Sequence, residues 1–103
     1  MPPSETKIAV QRVARGFEKV INARDTDRQH DHFSEEFAER DNDLQPLLKD
    51  TQRAELIGTV ATRTLLRLEL ADGDTNVVEL LWRDYDGTWL IHDCRVFSLL
   101  PGI

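Results

Sequence analysis

The hydrophobic and polar positions change rhythm once along this chain, from a helical period in the first half to alternation in the second. Val10, Val13, Ala14, Phe17 and Ile21 recur at three- and four-residue spacing with Val20 beside them, while Arg12, Arg15, Glu18 and Lys19 take the opposite side. That spacing predicts an amphipathic helix over residues 5–23, with Ser4 as N-cap and Glu5 in the first turn, where the helix dipole favours an acid. Gly16 in its middle costs about 1 kcal/mol against Ala and is expected to allow close approach to the sheet. A second helix is expected from Thr26, with Gln29 completing a capping box and His30, Phe33 and Phe37 sharing its apolar face. A third, over residues 44–49, takes Asp43 as N-cap and Pro46 in its first turn, and turns Leu44, Leu47 and Leu48 inward.

From there the period is two. Residues 64–71, 75–84 and 88–99 alternate on one face and are separated by Asp72-Gly73 and Asp86-Gly87, the turn signals of antiparallel hairpins. Residues 53–61 are expected as a further strand, with Gly58 marking a bulge or bend. A three-residue loop at Asp72-Gly73-Asp74 sets Leu66 against Leu80, Leu68 against Val78 and Thr64 against Trp82. A two-residue type I′ turn at Asp86-Gly87 sets Trp82 against Ile91 and Leu80 against Asp93. In that register Leu66, Leu68, Leu70, Val78, Leu80, Trp82, Trp89, Ile91 and Phe97 share one face, and a one-residue slip would scatter them. The other face holds Leu65, Val77, Leu81, Leu90, Cys94 and Val96 around an Arg67–Glu79 cross-strand pair. The expected fold is α+β: N-terminal helices packed on a curved antiparallel sheet of about four strands, as one domain over residues 1–103.

Composition narrows the partners. A chain of 103 residues with 40% hydrophobic and 31% charged residues suits one globular domain with one core. The net charge of −6 sits in residues 25–43, where Asp25, Asp27, Asp31, Glu35, Glu36, Glu39, Asp41 and Asp43 face only Arg28 and Arg40. The rest of the chain is balanced and carries no basic stripe, which argues against nucleic acid as a partner. No apolar run approaches the roughly eighteen residues needed to span a bilayer, so no membrane partner is expected. The single Cys94 cannot form an internal disulfide, in keeping with a cytoplasmic, reducing compartment.

Asp86-Gly87-Thr88-Trp89-Leu90-Ile91, behind three helices and a curved sheet, resembles the closing strand of the nuclear-transport-factor-2-like superfamily. That superfamily includes ketosteroid isomerase, scytalone dehydratase and SnoaL-type cyclases. Asn22-Ala23-Arg24-Asp25 is similar to the family's Ala-x-Asp break between its first two helices. The resemblance spans residues 10–98. This chain is shorter than most members and shows no strand pair between its second and third helices, which implies a trimmed cone open at one end.

The candidate chemistry follows from that cone. Trp82, Trp89, Ile91, Leu68, Phe17 and Phe33 form its expected ligand-binding wall, with Arg95 as the polar contact. Asp93 and Arg95 lie in phase with Trp89 and Ile91. Burial raises such a carboxyl's pKa and the guanidinium lowers it again, a balance that suits a general acid/base, a ligand-orienting pair or a purely structural ion pair. His30 is a second acid/base candidate at the pocket mouth, against the reading of a packed histidine. His32 lies about 200° further round the helix, so the two cannot share a metal. His92 and Cys94 on the other face read as interface packing rather than a nucleophilic pair. Asp41-Asn42-Asp43 lacks the glycine and glutamate of a calcium loop. No metal site and no cofactor is expected.

Three functions remain. The first is a domain holding a small apolar ligand or a protein partner in its cone. The second is a cofactor-independent isomerase, dehydratase or cyclase in which Asp93 shuttles a proton and Arg95 or His30 stabilises an oxyanion. The third is a homodimeric interaction domain joined through Leu65, Val77, Leu81, Leu90 and Val96 on the sheet's second face.

Overall fold

A computed structural model of the protein describes residues 5–98. Ser4, expected as the first N-cap, and Leu99, the last residue of the final run, lie outside the described residues. The change of rhythm becomes a change of structure at residue 51. Before it stand α1 (Glu5–Asn22), α2 (Thr26–His30), α3 (Glu35–Glu39) and α4 (Leu44–Asp50). After it come β1 (Thr51–Val60), β2 (Arg63–Leu70), β3 (Thr75–Tyr85) and β4 (Thr88–Ser98). The strands form one antiparallel curved sheet in the order β1-β2-β3-β4, and the helices pack on one of its faces. The α+β class expected from the pattern is the fold observed.

The stripe on α1 is the one its spacing predicts, with Val10, Ala14, Phe17 and Ile21 buried. The helix ends in a Schellman pattern: Arg24 N–H donates to Ile21 O at 3.0 Å and Asp25 N–H to Val20 O at 3.1 Å, with Arg24 at φ 57°. A Cβ added at Gly16 would meet only the His32 ring, at 3.9 Å, so close approach to the sheet is not what the glycine provides.

The expected second helix is two short ones. Asp25, not Thr26, caps α2, its Oδ1 accepting from Arg28 N–H at 3.2 Å. The Ser34 hydroxyl then caps α3, accepting from Phe37 N–H at 3.2 Å. The break between them has a tertiary cause. Ile91 N–H donates to His32 O at 2.7 Å and Ser34 N–H to Ile91 O at 2.9 Å, so this segment leaves the helix to pair in parallel with the edge of β4. At α4 the cap is Asn42 rather than Asp43, its Oδ1 accepting from Leu44 N–H at 3.1 Å and Gln45 N–H at 2.9 Å.

Two register differences matter unequally. Between β2 and β3, Leu66 faces Val78, Thr64 faces Leu80 and Arg67 faces Val77, because the loop runs from Leu70 to Asp74 and closes with Leu70 N–H on Asp74 O at 2.8 Å. This displacement by two residues replaces the expected Leu66–Leu80, Leu68–Val78, Thr64–Trp82 and Arg67–Glu79 pairs but leaves each side chain on its expected face. Between β3 and β4, Asp86 (φ 56°) and Gly87 (φ 94°) form the expected two-residue turn, and Trp82 faces Ile91. The next pair is Leu81 with Asp93, so His92 is an extra residue, a β-bulge. Beyond it every residue of β4 changes sides. Cys94 and Val96 turn to the covered face opposite Leu80 and Val78, while Asp93, Arg95 and Phe97 turn to the open one. Asp93, Arg95 and Phe97 on the helix side, and Cys94 and Val96 on the other, are therefore corrected. In β1 the ladder shifts between Leu56 and Gly58, where the glycine marked a bulge, and again between Thr51 and Arg53.

Candidate functional site

The interior of the cone is a filled core. Phe17, Leu68 and Ile91 are fully buried, Trp82 and Phe33 nearly so, and all belong to one apolar cluster against which Trp89 packs half-buried. Phe17 meets Trp82 edge-on at 6.2 Å and Phe33 at 6.0 Å between ring centroids. The Trp82 indole Nε1–H donates to the buried Thr64 hydroxyl at 2.9 Å, so its polar tip is satisfied inside the protein. These residues are brought together as expected, and their side chains spend their surface on one another. The hydroxyl of Thr59, paired across the ladder with Thr64, is buried with no hydrogen-bond partner among the described residues.

Asp93 takes part in a different arrangement from the one its spacing implied. Its Oδ1 accepts from Arg40 Nη2–H at 3.1 Å and from Cys94 N–H at 2.9 Å, and Arg40 also donates to His92 O at 3.3 Å. The guanidinium lies 5.6 Å over the Phe37 ring. The carboxylate thus braces the bulge and ties β4 to the end of α3. Both members are about half exposed, 53% and 52%, which limits such a pair to roughly 0–1 kcal/mol. Arg95 is exposed on the same open face, opposite Glu79. Arg40 was not among the expected site residues. A cation near the end of the acidic stretch of residues 25–43 gives no local sign that it crosses to β4.

The histidines exchange places with expectation. His30 is exposed and touches Phe33 with ring centroids 5.4 Å apart. His32 is half-buried, 5.2 Å from Phe17 and 6.3 Å from Trp82, and burial pushes its pKa below the usual 6.5 despite the opposing charge of Asp31. His92 is lowered as well, by burial and then by Arg83. The Cys94 thiol is pushed up to about 11 by burial and by Asp93 and Asp43, which keeps it protonated and a poor nucleophile. Among the described residues no group of His, Cys, Asp and Glu is placed to hold a metal, and no helix is long and apolar enough to cross a membrane.

Both sheet edges are engaged by helical side chains or loops. On β1, Asn22 reads the Ala54 backbone as a neighbouring strand would, its Nδ2 donating to Ala54 O at 3.0 Å and its Oδ1 accepting from Ala54 N–H at 2.7 Å. Glu18 accepts from Leu56 N–H one step along. On β4 the His32–Ser34 segment and Arg40 do the equivalent. Edge pairing with another chain is blocked at those positions.

Among the described residues the open face has no such cover. Phe97 is 47% exposed, Ile57 49% and Val60 74%, and Leu65, Val77, Leu81 and Leu90 between them are half-buried. Arg63, Arg67 and Arg95 alternate with Glu55, Glu79 and Asp93 across the same surface, with Arg67 and Glu55 3.9 Å apart. Charge there is balanced, in a protein whose excess lies in residues 25–43. No family model, no curated protein and no solved structure matches this chain.

Proposed function

We propose that this domain is a homodimeric interaction module whose open sheet face packs against the same face of a second copy. The observation that carries this reading is the row of half-buried and exposed apolar side chains on a sheet face that no helix of the described residues covers. Leu65, Val77, Leu81 and Leu90 lie on that face, as the alternation predicts, and are assigned to the proposed interface. Val96 does not, since the bulge turns it inward, and Phe97 takes its place. Balanced charge lets two chains of net charge −6 approach by this face more readily than by any other. The blocked edges favour stacking over strand addition.

Four strands about 4.8 Å apart and some 25 Å long offer roughly 500 Å² in projection, which places the dimer at the small end of specific interfaces. Interfaces of standard size range from micromolar to picomolar, so the weak end, on the order of micromolar, is the concentration range to test. We read the nuclear-transport-factor-2-like resemblance as one of fold, with the cone interior given to packing. A cytoplasmic setting suits the single, protonated thiol of Cys94.

Sedimentation equilibrium tests the proposal. Wild type is expected to fit a reversible dimer, and Leu81→Arg, which buries a charge in the contact, to be monomeric with an unchanged circular dichroism spectrum. A monomeric wild type across the micromolar range, or a dimer that Leu81→Arg leaves intact, contradicts it.

A further inference from the structure

Gln29 is a polar residue with nowhere inside the protein to spend its polarity. It lies on the inner side of α2, only 6% exposed. Its backbone is fully used, N–H on Asp25 O at 3.0 Å and carbonyl accepting from His32 N–H at 3.1 Å. Its side-chain amide has no hydrogen-bond partner among the described residues. Its polar atoms are not sealed from solvent, Thr59 Oγ1 being the one buried side-chain atom without a partner among the described residues, so the amide faces the adjoining cleft.

The amide borders space. Two adjoining cavities of about 180 and 150 Å³ lie between α2 and α4, and both are lined by Gln29, Thr26, Leu48 and Lys49. Ile21 adds an apolar wall to the first and Phe33 to the second. Arg24 and Lys49 stand on the walls of the first cavity, and neither forms an ion pair with a described residue. Asp50 is the one acid lining either cavity. The cleft is thus locally cationic in an acidic protein, walled in part by apolar side chains, and supplied at its centre with the Gln29 amide, able to donate twice and accept twice, beside Gln45 and Gln52.

We propose that this cleft binds a small organic acid, its carboxylate accepting from the Gln29 Nε2–H and from Lys49 or Arg24, its apolar body lying on Leu48 and Phe33. A carboxylate fits better than a neutral amide because bonds from a cation to a charged acceptor are roughly twice as strong as neutral ones. At ~30 Å³ per water-sized atom, each cavity takes roughly five or six heavy atoms and the adjoining pair together roughly eleven, enough for an acid of eight or nine. Hexanoate and benzoate are therefore suitable probes. The site is separate from the open sheet face, and the inference stands independently of dimerisation.

The test is a nitrogen–proton NMR titration of the protein with hexanoate, benzoate and the neutral analogue hexanamide. Saturable shifts are expected at Arg24, Thr26, Gln29 and Lys49, including the Gln29 side-chain NH₂ pair, with a dissociation constant on the order of millimolar, as suits a ligand of this size. Hexanamide is expected to bind at least about fivefold more weakly, and Gln29→Leu to weaken hexanoate by about tenfold while keeping a folded spectrum. Should Gln29→Leu not fold, Gln29→Glu keeps the shape and is expected to repel the carboxylate. Scattered, unsaturable shifts, hexanamide binding as tightly as hexanoate, or a Gln29 variant that binds hexanoate like wild type would each overturn the inference.

Discussion

The two faces of the sheet are made from the same strands, residue by alternate residue, and their fates diverge. Leu80 and Leu81 are neighbours in β3. Leu80 is fully buried under α1 and its companions, while Leu81 looks out from a face that none of the described residues covers. The covered face is a sealed mosaic of Leu66, Leu68, Val78 and Trp82 with its one indole N–H satisfied internally. The open face mixes apolar side chains of similar size with opposed charges. The contrast teaches that hydrophobic content alone does not make a core. What separates the two is whether the chain has helices left to cover them, and α1 to α4 are consumed by one side.

The comparison is broken most severely by truncating its two representatives. Leu80→Ala is expected to cost about 2–5 kcal/mol of unfolding free energy, a large share of a small domain's total. Leu81→Ala is expected to cost about 1 kcal/mol or less when urea unfolding is followed below the association range. Comparable losses at both positions would mean that the open face is covered within the single chain.

Next in size is the brace that holds the covered side together at its edge. Asn22→Ala leaves the N–H and carbonyl of Ala54 without partners and is expected to cost about 1–3 kcal/mol by the same unfolding measurement. Asn22→Asp keeps the acceptor and loses the donor, and is expected to fall between the two.

Gly16→Ala sharpens the contrast in the opposite direction. The added methyl has ordinary room beside His32, so the helix gains about 0.4–1 kcal/mol from reduced unfolded-state freedom. A loss of stability there would show that α1 sits closer to His32 than the 3.9 Å contact indicates.

The gentlest lever is pH. The folded-state pKa of His32, buried against Phe17 and Trp82, lies below 6.5. Between that value and 6.5 the unfolded chain holds more protons than the folded one, so stability falls as pH drops through the window. His92 contributes with the same sign from the bulge. His32→Phe is expected to flatten the melting-temperature profile below pH 6.5 more than His92→Gln does, and the reverse order would contradict the placement of the two rings.

What could be read from the sequence, and what could not, divides along physical lines. The α1 stripe, the turn at Asp86-Gly87 and the covered positions of β2 and β3 were legible because each rests on local periodicity or local backbone demands. The loop after Leu70 was misjudged in length, yet the slip by two left the faces intact. The bulge at His92 was not legible: one extra residue has no compositional mark, and it reversed Asp93, Cys94, Arg95, Val96 and Phe97 at once. The split of the second helix was hidden for a related reason, since residues 32–34 pair with Ile91 across sixty positions of chain. Asn22, Glu18 and Arg40 act at such distances too, as polar side chains standing in for a missing strand. Gln29 looked like half of a capping box, and its burial beside an open cleft appears only in three dimensions.

The central claim is that the open face is an interface between copies. It is tested most directly by isotope-filtered NMR on a mixture of labelled and unlabelled protein above the dissociation constant. The account expects contacts between molecules from the methyl groups of Leu65, Val77 and Leu81 and the Phe97 ring, and none from α1. Contacts arising from α1, from the sheet edges, or from nowhere at concentrations where a dimer sediments would contradict it.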